Sequence, residues 1–189
     1  ELDHAGTVGL PQVHTRMRLV DGELWIAGAH VFSGYWRNPA ATAETLRDGW
    51  VATGDIAERD AQGFYRIVGR KKEMFISGGE NVYPGEVERV LAEHPAVAEV
   101  AVVGVSDAIW GEVGHAFVVA RPGAAAPADP AEWGRHCKER LAGYKVPRGF
   151  TLLPELPRNS LGKVLKADLR TAHATRGAEP IKSLSSGVL

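Results

Sequence analysis

The sequence of 189 residues has a single cysteine, Cys137, and no apolar run near the roughly 20 residues that a membrane-spanning helix needs. A lone cysteine excludes an intrachain disulfide and a metal site built from several cysteines. The sequence also has no excess of charge of one sign, because 22 Lys and Arg against 23 Asp and Glu give a net charge of −1. This balance gives no electrostatic reason to expect nucleic acid or an anionic membrane as a partner.

Several catalytic signatures are also missing. The seven histidines include no HExxH pair or other metal-ligand spacing, so no protein-built metal site is predicted. Ser33 lies in Phe-Ser-Gly-Tyr, which is not the GxSxG of a serine hydrolase. The Gly-rich stretch 77–81 lacks the Gly-Lys-Ser/Thr of a phosphate loop. Cys137 follows Trp133 at helical spacing, which favours a core position over a nucleophile.

The first 69 residues have the pattern of antiparallel strands joined by short turns. Asp21-Gly22 predicts a tight turn, and the stretch 60–63 predicts a short hairpin loop that ends in Gly63. Between them, Asn38 and Pro39 predict the start of a helix that continues to Leu46 and ends at Asp48-Gly49. Residues 1–69 are therefore predicted to be a small antiparallel β subdomain with one short helix.

After a basic stretch at 70–72, strand and helix patterns alternate, which predicts a compact α+β domain over 73–172. Its expected strands are 73–77, 97–105, 115–121 and 150–153, and its expected helices are 84–93, 130–141 and 164–173. A flexible loop is expected at 77–80 and a loop rich in Ala, Pro and Gly at 122–130. Residues 173–189 have little periodicity and predict a flexible tail.

Four short motifs contain side chains suited to a nucleotide or thiol ligand. Asp55, in Thr-Gly-Asp, could accept hydrogen bonds from a vicinal diol such as ribose, although a turn-capping Asp is the more common case. Arg70 and Lys72 lie in a charge run that is ordinarily just solvated. The stretch 77–81 would let a ligand approach the backbone closely. Lys163 follows a glycine turn, where its ammonium could contact a phosphoryl oxygen, although an exposed loop lysine is the more common case.

Each motif is weak by itself, but their order along the chain is informative. The motifs are 22–28 with 34–36, 48–55, 69–74, 77–88 and 157–163. Their sequence and spacing resemble the C-terminal part of the adenylate-forming acyl-CoA synthetases, AMP-binding enzymes related to firefly luciferases and to peptide-synthetase adenylation domains. The resemblance covers about residues 6–170.

The resemblance implies a cytoplasmic ligase of, for example, fatty-acid metabolism. Such an enzyme activates a carboxylic acid with Mg-ATP to an acyl-adenylate and pyrophosphate, then transfers the acyl group to coenzyme A and releases AMP. By the same resemblance, Asp55 would bind the ribose hydroxyls and Arg70 would assist at the ribose or phosphate. Lys163 would stabilise the charge that develops at the α-phosphate.

The resemblance also implies that the C-terminal domain rotates between the two half-reactions. Lys72 matches the hinge position, at which many members have Asp and others Lys. The residues that match the coenzyme A side are Ser77, Gly78, Gly79, Glu80, Trp110, Tyr144, Lys145 and Arg148. Because adenylation and thioester formation would use one site in turn, a short pivot between domains is physically sensible.

The chain also departs from the family pattern. The phosphate loop rich in Ser, Thr and Gly, the Tyr-Gly-x-Thr-Glu motif and the acyl pocket of the N-terminal large domain are absent from this sequence. We therefore expect a part of a longer ligase that is inactive alone, with its acyl substrate (aliphatic, aromatic or dicarboxylic) undetermined. Two alternatives stay open at this point. One is an adenylation domain that loads a carrier protein or forms an acyl-adenylate, and the other is a non-catalytic nucleotide- or coenzyme A-binding module.

Overall fold

The structure is a computed structural model that describes residues 4–124, 129 and 131–176. The chain divides into two compact units, of which the first ends at Lys72 and the second begins at Glu73. Among the described residues, no helix is long and apolar enough to cross a membrane.

The first unit is an antiparallel sheet with one short helix. Its elements are β1 (Thr15–Val20), β2 (Glu23–Gly28), α1 (Pro39–Thr45), β3 (Leu46–Arg47), β4 (Trp50–Arg59) and β5 (Tyr65–Arg70). The sheet has the order β1-β2-β4-β3, and β5 pairs with β4. The buried side chains of Leu24, Ala57 and Tyr65 pack together as a small hydrophobic core of this sheet.

Local turn chemistry determines most of this unit. Asp21 and Gly22 both have positive φ, 50° and 77°, as the tight turn between β1 and β2 requires. Asn38 Oδ1 accepts a hydrogen bond from Ala41 N at 3.0 Å and caps α1, as predicted. The predicted end of α1 is wrong, because Leu46 belongs to β3.

The reason lies in the next two residues. Asp48 and Gly49 both have positive φ, 50° and 76°, and form the turn of the β3–β4 hairpin. The Asp-Gly pair therefore reverses a strand here and does not end a helix.

The described residues of the second unit form a mixed sheet with three α-helices. Its elements are β6 (Phe75–Ser77), β7 (Glu80–Val82), α2 (Pro84–Ala92), β8 (Val97–Asp107), β9 (Gly111–Ala120), α3 (Ala131–Lys138), β10 (Gly149–Leu152) and α4 (Lys166–Arg176). The sheet has the order β10-β9-β6-β7, and β8 pairs with β9. The β10–β9 pair is parallel and the other pairs are antiparallel. The α+β fold class is confirmed.

Helices cover both faces of this sheet. Val102 packs in one core with α2 and α3, whereas its neighbours Ala101 and Val103 pack in a second core with Leu169 of α4. Strand alternation along β8 thus sends successive side chains to opposite cores. Cys137 is fully buried in the first of these cores, as predicted.

Other boundaries also differ from the sequence prediction: β6 begins at Phe75, β8 ends at Asp107 and β9 begins at Gly111. Ser77 and Glu80 pair at the ends of β6 and β7, so the stretch expected to be a flexible loop is a two-residue hairpin turn. Helix α3 is shorter than 130–141, and α4 continues past the predicted helix end at 173 to Arg176, within the predicted tail. The predicted loop 122–130 lies partly outside the described residues, and the rest of the predicted tail, 177–189, lies wholly outside them.

Candidate functional site

The two residues expected at the nucleotide are in contact in the first unit. Asp55 and Arg70 are paired residues of β4 and β5, and Arg70 Nε lies 2.7 Å from Asp55 Oδ1. Thr53 Oγ1 accepts from Asp55 N and donates to Leu24 O, which fixes the backbone beside the carboxylate. Asp55 is thus an ion-paired strand residue, and the more common interpretation of it as a turn cap is wrong.

A pocket of about 600 Å³ lies beside this pair, and Thr53, Gly54 and Arg70 contribute to its wall. Glu23 also lines it and was not singled out by sequence reasoning. Burial raises the pKa of Glu23, but hydrogen bonds from Lys71 and from Gly54 N–H more than offset this, so the pKa is lowered from its usual 4.5. The pocket therefore has a carboxylate that stays ionised and is already paired with Lys71 at 3.0 Å.

Lys72 lies in a 3-10 turn, Lys71–Glu73, and is the last residue of the first unit. Its side chain is exposed, and within the described part of the chain no ion pair holds it. The predicted hinge residue is thus placed in the short connection between the units.

The glycine turn and Trp110 are in direct contact in the second unit. Gly78 N donates to Trp110 O at 3.0 Å, and Gly78 has φ +61°. Trp110 lies in the turn that joins β8 to β9, and the guanidinium carbon of Arg148 lies 4.7 Å from its ring centroid. Three of the residues expected at coenzyme A therefore form one cluster, which we call the Trp110 cluster: Gly78, Trp110 and Arg148.

Asp107 organises this cluster, although sequence reasoning did not select it. Asp107 Oδ1 accepts from Ile109 N and Trp110 N, both at 2.9 Å. These two backbone hydrogen bonds, with the nearby charge of Arg148, lower the pKa of Asp107 from its usual 3.8. An Asp two or three residues before a turn residue is a known turn signal, so this residue was detectable in the sequence.

The remaining residues expected at coenzyme A lie on two nearby elements. Ser77 and Glu80 pair across the β6–β7 hairpin, with Ser77 buried and Glu80 exposed. Tyr144 and Lys145 lie in a 3-10 turn that contacts β7. Lys145 Nζ lies 2.8 Å from both carboxylate oxygens of Glu86, so its charge is largely neutralised within the protein.

Lys163 lies on a separate, well-defined loop between β10 and α4. Asn159 brackets it, because Asn159 N donates to Lys163 O and Asn159 Oδ1 accepts from Lys163 N, each at 2.9 Å. The side chain of Lys163 is exposed, and the structure gives it no ion pair among the residues it describes. Its ammonium is therefore available to a ligand.

A larger pocket of about 760 Å³ in the second unit is lined by residues of β8, β9, β10, α3 and α4. Arg148 of the Trp110 cluster reaches its wall, as does the buried His115. Burial, with a smaller contribution from His173, lowers the pKa of His115 from 6.5 to about 4, so this imidazole is neutral at pH 7. Its Nε2 lies 2.8 Å from Thr151 Oγ1.

Residues 86–163 match the family model of the AMP-binding enzyme C-terminal domain. Among curated proteins, a long-chain-fatty-acid–CoA ligase of Yersinia pestis is 45% identical over 178 residues, which are 88% of this chain and 31% of the ligase. A feruloyl-CoA synthase of an Amycolatopsis species is 44% identical over 87% of this chain and 35% of the synthase. The chain thus spans about a third of the length of the curated relatives it matches.

Two solved structures also match most of this chain and about a third of their own length. The o-succinylbenzoate CoA synthetase of Bacillus subtilis, in complex with its acyl-adenylate intermediate, has a TM-score of 0.83 and 37% identity, and the match covers 89% of this chain and 36% of that one. An amide bond synthetase of Marinactinospora thermotolerans has a TM-score of 0.82 and 35% identity over 88% of this chain and 36% of that one.

Proposed function

We propose that this chain, whose residues 86–163 match the AMP-binding enzyme C-terminal domain, forms the C-terminal part of a carboxylic acid–CoA ligase. The ligase would join a carboxylate to ATP, giving an acyl-adenylate and pyrophosphate. The thiol of coenzyme A would then attack the acyl carbon and release AMP. The proposal includes a cytoplasmic location, where ATP and coenzyme A are both available.

The observation that carries the proposal is the ammonium of Lys163, which has no ion pair among the described residues and lies on a loop held by Asn159. Adenylation builds negative charge around the α-phosphate as pyrophosphate leaves, and a preorganised cation stabilises that charge without reorganising. A pure binding module has no need of a cation that acts only in the transition state. Lys163 thus favours a ligase over a non-catalytic module.

Asp55 and Arg70 fit the ribose of ATP. Asp55 Oδ1 is ion-paired with Arg70, and among the described residues no ion pair or hydrogen bond holds its second oxygen, so that oxygen can accept from a ribose hydroxyl. Arg70 keeps further N–H groups for the ribose or the phosphate. Among the described residues, no group of three His, Cys, Asp or Glu side chains is arranged to hold a metal ion. We propose that Mg²⁺ enters on the phosphates of ATP.

The Trp110 cluster supports coenzyme A as the acyl acceptor. A guanidinium over an indole ring offers both a flat apolar face and donors for phosphate, and the glycine turn beside it lets a thin chain such as pantetheine pass close to the backbone. Lys72 would serve as the pivot that presents Lys163 for the first half-reaction and the Trp110 cluster for the second. The amide bond synthetase among the relatives makes an amine the alternative acceptor.

The test uses the ligase that contains this chain, with a panel of aliphatic, aromatic and dicarboxylic acids. We expect AMP and acyl-CoA to appear together, and we expect Lys163→Ala to slow acyl-adenylate formation by at least about 100-fold. The same variant should still convert a supplied acyl-adenylate and coenzyme A to the thioester. Lys138→Met, which removes an exposed lysine without an ion pair in the described structure, is the matched control. Equal loss of both half-reactions in Lys163→Ala would contradict the assigned role.

A further inference from the structure

We propose that Lys166 is a positioning residue that ties the loop of Lys163 to the first residue of the second unit, Glu73. The proposal rests on the function proposed above and concerns how that function is delivered. Lys166 itself touches no reacting atom in this scheme. Its role is to make Lys163 move together with Glu73, the residue that follows the proposed pivot.

The ion pairs of Lys166 join three parts of the second unit. Lys166 Nζ lies 2.6 Å from Glu73 Oε2 and 2.8 Å from Glu88 Oε1. The three side chains are only 16%, 24% and 22% exposed, so solvent screens them less than an ordinary surface pair. Glu88 Oε1 also accepts from Val102 N at 2.7 Å, which anchors the cluster to β8.

The segment between Lys163 and Lys166 is itself held by hydrogen bonds, so Lys163 is fixed relative to Lys166. Leu165 N donates to Pro157 O at 2.8 Å, and Asn159 holds the backbone of Lys163 from the other side. One turn further along α4, Leu169 is buried in the core. Lys163 therefore lies in a segment that Asn159 holds on its N-terminal side and Lys166 holds on its C-terminal side.

Glu73 follows Lys72, which we propose as the pivot, directly in the chain. Glu73 is the first residue that a rotation about Lys72 would move. The ion pair between Glu73 and Lys166 would make the loop of Lys163 move with Glu73. The Gly78 turn needs no such tie, because β6 leads to it from Glu73 within a few residues. Loss of Lys166 should therefore weaken adenylation more than thioester formation, which a general loss of stability would not do.

The first test measures amide hydrogen exchange in this chain. In Lys166→Met we expect faster exchange in the segments 71–75 and 157–166, with exchange at the β8–β9 hairpin unchanged. Lys166→Arg should restore protection, Lys138→Met should change none of it, and Glu73→Gln should give a smaller effect confined to the same two segments. Unchanged exchange in 157–166, or a uniform rise over the whole second unit, would overturn the proposal.

The second test separates the two half-reactions in the ligase. Because small misplacements of a reacting group are costly, Lys166→Met should lower kcat for acyl-adenylate formation about 10- to 100-fold, leaving KM for ATP nearly unchanged. Thioester formation from supplied acyl-adenylate should fall much less, and Lys166→Arg should recover adenylation. Equal losses would overturn the proposal. A wild-type ligase that forms no acyl-adenylate would instead contradict the proposed function, and hydrogen exchange still decides whether Lys166 ties the two segments.

Discussion

Gly78 lies so close to Trp110 that a Cβ added to Gly78 would lie 2.4 Å from Cε3 of the indole ring. The same glycine donates its N–H to the carbonyl of Trp110 and has a positive φ. Gly79, its neighbour in the turn, also has a positive φ, 87°, but an added Cβ there would meet nothing within 4 Å. The two glycines thus share a left-handed backbone conformation that would strain any other residue, and they differ in contact with the indole.

This contrast gives a matched pair of variants. Gly79→Ala should cost about 1–2 kcal/mol of unfolding free energy through its backbone alone. Gly78→Ala should cost more and should slow thioester formation by at least about tenfold, because the indole must move. Urea unfolding and the two half-reactions, measured separately, check this. Gly78→Ala with thioester formation like that of Gly79→Ala would contradict a role for the Trp110 cluster at coenzyme A.

The Asp55–Arg70 pair should matter for ATP more than for stability. Because Arg70 is half exposed, we expect Asp55→Asn to change the free energy of unfolding by less than about 1 kcal/mol. A lost hydrogen bond to a charged group is worth about 1.5–3 kcal/mol, so KM for ATP should rise roughly 10- to 100-fold. Urea unfolding and initial rates at varied ATP measure the two effects. An ATP KM equal to that of the wild type would remove Asp55 from the ribose site.

His115 should make the chain lose stability in mild acid. Its pKa is lowered to about 4 in the folded protein, so between pH 6.5 and 4 the unfolded state binds more protons than the folded state. Stability from this group is complete above pH 6.5, falls by up to about 3 kcal/mol as the pH drops to 4, and changes no further below. His115→Gln should flatten that part of the pH profile.

The measurement is urea unfolding at closely spaced pH values between 7 and about 3.5. His30→Gln removes an exposed histidine and serves as the control, with a profile that we expect to follow the wild type. Parallel slopes for wild type and His115→Gln between pH 6.5 and 4 would show that His115 does not resist protonation.

Cys137 should be inert to alkylation in the folded chain. Burial raises the pKa of its thiol to about 11, and its side chain is fully buried, so both the thiolate fraction and access are low. As the sequence has one cysteine, mass spectrometry after iodoacetamide at pH 8 reports this site alone. We expect labelling at least about 100-fold slower than in urea. Comparable rates in the two conditions would place Cys137 outside the core.

The parts of the fold that sequence predicts well are those that depend on local chemistry. Asp21-Gly22 and Gly63 form the predicted turns, and Asn38 caps the predicted helix. Asp48-Gly49 shows the limit of the same reasoning, because the dipeptide suits both a helix end and a hairpin turn. Pairing of β3 with β4 selects the hairpin turn, and a local sequence pattern holds no information about that pairing.

The candidate site divides in the same way. Asp55 and Arg70 were selected from motifs, but their contact depends on a strand register that includes a bulge after Ile56. Asp107 was within reach of sequence reasoning, since its acceptor role spans only two and three residues. Lys166 and Glu73 were not, because they are 93 residues apart and their meeting depends on the packing of α4 against the sheet.

That separation also bears on how the protein is made. During synthesis Glu73 is among the first residues of its unit to leave the ribosome, whereas Lys166 is among the last of the described residues to follow. Contacts between distant residues carry a large loop-closure cost and tend to form late. The segment that begins the second unit is therefore secured only when α4 docks, so in an unfinished chain the proposed pivot at Lys72 is not yet backed by the Glu73–Lys166 ion pair.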